Sequence, residues 1–455
     1  MQLISETIST NGIRGRRLKW PRRPILLLGL GLLVTSGILV ALRDVAPPQV
    51  GDLSLSFSEV LPDRNAFFSV KAAAKAMTLR DATGLNPIIS YLKDGPVDGD
   101  LIDGVIAANK EPLRQIGHGL TIDKWEWPTN ECSEDDESFW YRVESLMRAE
   151  AKHLRASGPR DEALASALRV LRLGDMMMQA PRNRGHWWLG CGIRFCGLEL
   201  CEKFARGEAA TASELFQIAQ ALDQLTSPSE SLIYMAKAEY WTLDSLIGRI
   251  ERREISLRDL KEPSGLENYV DVEAWSANLL FRPNDARTKI ANWQRAIISN
   301  STRNYASVDV EMGTRASDLL KSRYFKCDFG YAGAVSAKLQ ARLTDVRRGF
   351  LEYRCFSDCI SMGIRTLVAV RLYEMESSRL PAVLNDLVPK FLSAVPVDPY
   401  DGEPFRYLPG QRILYSVGKD LVDSGGSNYF TVQGKPKEVP REDSRDIVFR
   451  CFGPN

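Results

Sequence analysis

The stretch from Val395 to Asp420, VPVDPYDGEPFRYLPGQRILYSVGKD, decides how the end of the chain is read. Phe405 and Tyr407 alternate with Arg406 ahead of Pro409 and Gly410, and Ile413, Tyr415 and Val417 alternate after them. Period-two alternation on both sides of a Pro-Gly pair predicts a β-hairpin. DIVFR at 446–450 offers a third strand, and so small a sheet needs another element to cover one of its faces. Upstream, Leu339, Leu343, Val346, Phe350, Ile360, Ile364, Leu367 and Val368 recur every three or four residues. That spacing predicts a long helix over 335–378, in one piece or divided at Gly349 or Gly363. Residues 335–455 thus read as a long helix followed by a small α+β module.

An ordered set of short motifs runs through this region: Leu380-Pro381, Leu387 to Pro389, Pro396, Asp398 to Tyr400, Gly402, Pro404, Tyr407, Tyr415 to Gly418, Asp420, and Asp446-Ile447. In that order they resemble the C-terminal part of the type II secretion major pseudopilin, over roughly the last 95 residues. The whole chain also resembles a group of uncharacterised membrane-anchored bacterial proteins that carry a helical body and this module. The pseudopilin resemblance implies calcium in the loop after the S.G.D motif, held by the carbonyl of Val417 and by Asp420, with Asp423 as a further ligand. Calcium takes six to eight oxygen ligands, which two carboxylates, backbone carbonyls and water can supply. Lys419, beside Asp420, departs from that pattern. So does the N-terminus, which shows no prepilin cleavage site leading directly into a hydrophobic stalk. Residues 43–334 separate the apolar run from the module, so the resemblance implies a borrowed fold and not the family's helix-packed filament.

The body between these ends reads as helices. Asn65 is a suitable N-cap for a helix from Ala66. From Phe139 to about Arg252 the pattern is helix, short break, helix: Leu146, Ala149 and His153 share a face, SGPRD at 157–161 interrupts, and Ala163, Leu164, Ala167, Leu168 and Leu171 resume. APRNRG at 180–185 makes the next break, and a further helix starts at Asn284 after Pro283, with Ile290, Trp293 and Ile297 on one face. Stacked helical hairpins, loosely like the tetratricopeptide class but without a fixed period, are expected. Residues 95–138 are rich in Gly, Pro and Asp and end in ECSEDDES, a charge run that reads as a solvated loop feeding negative charge to a helix N-terminus.

At the other end, Ile25 to Leu42 is an uncharged run of 18 residues. As a helix it would span about 27 Å, close to the thickness of a bilayer's hydrocarbon. Arg14, Arg16, Arg17, Lys19, Arg22 and Arg23 precede it, whereas Arg43 and Asp44 cancel after it. The positive-inside rule then keeps the N-terminus cytoplasmic and places the rest outside. A signal peptide cut after Ala41 or Ala46 is the competing reading, with a shorter apolar region than this one as its norm. Arg16 and Arg17 sit in a poor twin-arginine context and read as topology charges. The expected organisation is a basic cytoplasmic tail (1–24), a transmembrane helix (25–42), a linker (43–64), an α-helical extracytoplasmic domain (65–334) and the long helix with the pseudopilin-like module (335–455). The fold class is mainly α.

Chemistry is sparse. Lys plus Arg number 59 against 58 Asp plus Glu in 455 residues, so no global field draws nucleic acid, and none is expected as a partner. Eight cysteines, Cys132, Cys191, Cys196, Cys201, Cys327, Cys355, Cys359 and Cys451, form no recognised framework. Cys191, Cys196 and Cys201 fall five apart in a helix, turn away from one another, and read as buried free thiols. His118, His153 and His186 form no zinc pair, and Trp187 and Trp188 beside His186 read as packing. Asp398 and Asp401 could form a carboxylate pair, but within DPYDG they read as turn residues. No nucleophile elbow, phosphate loop or dinucleotide fingerprint is present. The expectation is a non-enzymatic structural or interaction protein of the bacterial cell envelope, held in the membrane by 25–42 and meeting an envelope protein partner. An envelope hydrolase with an unrecognised carboxylate site, or an accessory component of a secretion-like filament, are the alternatives.

Overall fold

The computed structural model describes residues 44–55, 60–78, 82–128, 134–255, 282–308, 347–427, 429–432, 435–438 and 445–451. The chain is mainly helical, with a small antiparallel sheet near its end. Residues 25–42, the expected span, lie outside the described residues, as do Cys132 and Cys327. Among the described residues no helix is long and apolar enough to cross a membrane.

Helix α1, Ala66–Lys75, starts where the sequence placed it: Asn65 Oδ1 accepts from Phe67 N at 3.1 Å. The same side chain reaches across to Glu126, donating to its carbonyl at 2.8 Å and accepting from its amide at 3.1 Å, so one asparagine both caps α1 and ties it to the 124–127 segment. Helix α2 spans Ala82–Leu92. The Gly-, Pro- and Asp-rich region holds two more helices, α3 at Gly99–Ala108 and α4 at Lys110–Gly119. Asp98 caps α3 through Asp100 N, and Pro112 sits in the first turn of α4, where its missing N–H costs no intrahelical bond. The next helix is α5, Glu134–Ser157, which begins within the acidic run.

The expected breaks follow. Helices α6 (Arg160–Gln179), α7 (Arg184–Ala205), α8 (Ala212–Asp223) and α9 (Pro228–Glu251) form the centre, and α10 (Pro283–Asn300) lies against α9. Helices α6 and α7 meet backbone to backbone. A Cβ on Gly174 would stand 2.1 Å from Arg194 N, and one on Gly197 would stand 2.4 Å from Leu171 Cα. Such an approach is open only to glycine. The contact seals Arg194, 2% exposed, beside Asp175 at 3.5 Å. Arg194 also donates to the Thr226 carbonyl at 2.6 Å and to Ser361 Oγ at 3.2 Å, linking α6, α7, the α8–α9 connection and the last helix.

That last helix, α11, is continuous over Arg347–Ser377. Gly363 does not interrupt it; a Cβ there would lie 2.2 Å from Phe449 Cζ, so the missing side chain admits the sheet's aromatic ring. Strands β1 (Arg406–Leu408), β2 (Ile413–Ser416) and β5 (Ile447–Arg450) form the sheet in the order β1-β2-β5, all antiparallel. Strands β3 (Tyr429–Val432) and β4 (Lys435–Glu438) form a separate hairpin. The β1–β2 connection is wider than a bare Pro-Gly turn: Pro409–Gln411 makes one 3-10 turn and Arg412 follows at φ 54°.

Among the described residues the two largest apolar clusters lie in the helical body. The larger joins α1 and α4–α8 to α11 and the inner face of the sheet, and includes Phe67, Trp125, Trp127 and Trp140 packed ring on ring. The smaller gathers Leu53, Trp187, Tyr240, Ile290, Trp293 and Phe350 between α7, α9, α10 and the start of α11.

Candidate functional site

The aspartate-rich turns around β1 and β2 are the most organised polar region outside the helices. Asp398 is fully buried and central to it. Its Oδ1 accepts from Tyr400 N at 3.0 Å and Ser416 Oγ at 2.8 Å, and its Oδ2 from Val417 N at 3.0 Å and Arg406 Nη1 at 3.3 Å. Its own amide donates to the Glu403 carbonyl at 2.7 Å, and Gly402 closes the turn at φ 86°. Asp401 accepts from Glu403 N at 3.0 Å and from Arg406 Nη2 at 2.5 Å. Both are turn residues, as the sequence suggested, and they share one arginine.

Arg406 therefore fills the space between carboxylates that a cation would otherwise balance. Its third neighbour is Asp423, whose Oδ2 lies 3.8 Å from Nε. Burial pushes the Asp398 carboxyl above the usual range, partly offset by the amides and hydroxyl that donate to it. At Asp401 burial is again the largest single influence, but the hydrogen bond and charge of Arg406 and the amide of Glu403 together outweigh it and hold the carboxyl below its ordinary value.

The implied calcium residues fall beside this cluster. Val417 is buried, and its amide is bound to Asp398. Asp420 is exposed and accepts from Val422 N at 3.1 Å within its own turn. Asp423 Oδ1 accepts from Tyr415 Oη at 3.1 Å and from Gly425 N at 2.9 Å. A hydroxyl, an amide and a guanidinium thus surround Asp423. Among the described residues no group of three or more His, Cys, Asp or Glu side chains is arranged to hold a metal ion.

Asp446, which the sequence motif included without a role, is a second buried staple. It accepts from Ser424 N at 3.2 Å, Gly426 N at 2.8 Å and Ser427 N at 3.1 Å. Those bonds fold the 418–427 loop over the outer face of β2, where Gly426 approaches Ile413 and Tyr415 so closely that a Cβ would meet Ile413 Cδ1 at 2.4 Å. All four residues of β2 are consequently buried. The tip of this loop faces solvent with two apolar side chains, Leu421 at 41% and Val422 at 57% exposure, and Leu421 adopts φ 59°.

Among the other sequence candidates, the aromatic residues at the start of α7 are packing. His186 stacks on Trp127 with ring centroids 3.7 Å apart, Trp187 packs on Phe350, and Trp188 packs on Phe350 and Tyr353. His153 Nδ1 lies 3.4 Å from Asp103, and His118 is exposed on α4. Cys191, Cys201, Cys355 and Cys451 are buried free thiols, Cys359 is buried as well, and Cys196 is half-buried. Burial pushes Cys201 up to about 12, which keeps it a neutral thiol. An open groove of about 290 Å³ between α8 and α11 is lined by Phe216, Arg365, Lys390 and Phe391 among others, with Arg365 committed to Asp223 at 2.7 Å. No protein family, curated protein or solved structure matches the chain.

Proposed function

We propose that the protein is a membrane-anchored, extracytoplasmic structural or interaction protein of the bacterial cell envelope, with no reaction of its own. In this reading residues 25–42 are the anchor, the N-terminus is cytoplasmic, and the C-terminal pseudopilin-like module is the recognition element. One observation carries it: the 418–427 loop is held by Asp446 and by contacts on β2, yet presents Leu421 and Val422 to water. We read this left-handed position, held by its surroundings and displaying two adjacent apolar side chains, as a contact point. The partner is an envelope protein with a complementary apolar recess.

Three of the buried carboxylates support the same reading over a hydrolase. Asp398 and Asp446 each accept from three or more N–H or O–H donors, and Asp175 faces Arg194 and Thr226. Each is committed to holding the fold together and not to a proton transfer in a cleft. A photo-crosslinking residue at position 422, in intact cells, should yield a discrete adduct that Leu421→Asp abolishes, while the same residue at position 411 yields none. Equal, diffuse labelling at both positions would refute the assignment. Protease mapping on intact and opened cells tests the topology, which fails if residues beyond 50 are protected in intact spheroplasts.

A further inference from the structure

The segment following the apolar run is docked along its length. The Asp44 carboxylate accepts from Asn284 N at 2.8 Å and Asp285 N at 3.1 Å, capping the N-terminus of α10. Asp52 pairs with Arg295 through two bonds of 2.7 and 2.8 Å, and Arg295 also donates to the Gln49 carbonyl. Trp241 Nε1 donates to the Leu53 carbonyl at 2.8 Å, and Leu53 is fully buried in the smaller core. From Asn284 to Arg295 helix α10 rises about 16 Å. The segment from Asp44 to Asp52 therefore runs beside α10 in the same direction.

Two residue steps separate Leu42 from Asp44, about 7 Å of fully extended chain. A membrane span ending at Leu42 holds the Asp44 end of the body within about 7 Å of the bilayer. The end of the body that holds Asp44 also holds the last turn of α9, because Arg287 reaches Asp244 at 2.6 Å and Glu251 at 2.5 Å. Arg249, Arg252 and Glu254 are half-exposed or exposed there, side chains suited to a headgroup layer and not to hydrocarbon. At the opposite end of α10 the chain continues to Tyr305 and Ala306, whose amides donate to the Pro399 and Tyr400 carbonyls at 2.9 and 2.8 Å. The C-terminal module is thus fastened to the end of α10 that lies away from Asp44, about 27 Å along an 18-residue helix.

We infer that residues 44–53 seat the helical body on the bilayer in a single orientation, with the end formed by the α9 C-terminus and the α10 N-terminus against the lipid headgroups. This rests on the reading of 25–42 as a membrane anchor. The partner surface is the bilayer itself, and the module is carried at the far end of the strut.

The test uses the full chain in vesicles containing brominated lipid, with a fluorophore attached through a click-reactive residue at position 252 or position 411. Fluorescence at 252 should be quenched by the lipid and that at 411 should not. In an Asp44→Ala, Asp52→Ala variant with unchanged circular dichroism the quenching at 252 should be lost. Protein that resists alkaline carbonate extraction but shows equal quenching at both positions, or more at 411, overturns the seating and leaves the anchor standing. Release by carbonate overturns the anchor, and the seating with it.

Discussion

Replacing Asp398 by alanine removes one carboxylate that four donors share, and the structure allows the cost to be worked out donor by donor. The amides of Tyr400 and Val417 lie in residues that are 2% and 1% exposed, so water cannot replace the lost acceptor. A buried N–H left without a partner costs about 1–3 kcal/mol, so these two alone account for about 2–6 kcal/mol. Ser416 Oγ still accepts from Gly418 N at 3.1 Å but loses the acceptor for its own hydroxyl. Arg406 keeps Asp401 and Asp423, which makes its share small. We expect Asp398→Ala to lose about 3–5 kcal/mol, near the upper end for single substitutions. Asp398→Asn keeps the shape and one acceptor oxygen but turns an amide group toward Val417 N and Arg406, so about 1–3 kcal/mol should be lost. Arg406→Ala should cost less than either. Urea unfolding supplies the free energies, and hydrogen exchange of residues 413–418 locates the loss. An alanine variant within about 0.5 kcal/mol of wild type, the range of ordinary surface changes, would refute the reasoning. So would an Arg406→Ala variant as damaging as Asp398→Ala, because the carboxylate would then serve the arginine and not the backbone.

Three further outcomes follow from the packing and the charges. Gly363→Ala should destabilise by about 1–3 kcal/mol through its clash with Phe449, and the loss should shrink in a background of Phe449→Leu, measured by thermal unfolding as a double-mutant cycle. Glu239 is buried on α9, faces Gln294 at 3.5 Å, and burial raises its carboxyl above the ordinary value. A raised folded-state value means stability is lost as pH climbs from the unfolded value through the folded one, so Glu239→Gln should gain on wild type at pH 8 relative to pH 5; an equal difference at both would contradict this. Calcium titration by calorimetry should give no saturable heat, since Asp423 is engaged by Tyr415, Gly425 and Arg406; a stoichiometric signal abolished by Asp420→Ala would overturn it.

Periodicity made much of this architecture legible. The Asn65 cap, breaks within 157–161 and 180–185, a helix beginning within one residue of Asn284 and the three-stranded sheet all follow from spacing and turn chemistry. Helices α3 and α4 escaped because Gly99, Gly104 and Pro112 carry low propensity, which tertiary contact and an aspartate cap override. The alternation in β2 suggested one wet face, but the loop held by Asp446 covers it, and a contact between segments so far apart in sequence has no local signature. The shared use of Arg406 by three aspartates was hidden for the same reason. A lone arginine between aromatic residues reads as the solvent-facing member of a strand, and only the fold shows that the turns converge on it. Glycine at 363 was ambiguous because a helix interior and a helix break both tolerate it in sequence, whereas the ring of Phe449 gives it one meaning.

The seam between α6 and α7 offers a way to find kin of this chain that overall similarity would miss. Gly174 receives the backbone of Arg194, and Gly197 receives the backbone of Leu171, so each helix supplies a notch three residues from the ridge it offers its partner. Cores of this kind tolerate exchange among leucine, isoleucine, methionine and valine, so most of the apolar positions are free to drift. The two notches are not, because any side chain there would push the helices apart and open the sealed Arg194–Asp175 pair to water. A distant chain with glycines at this separation, an arginine three residues before the second and an aspartate directly after the first would carry the same helix pair, however little else it shared.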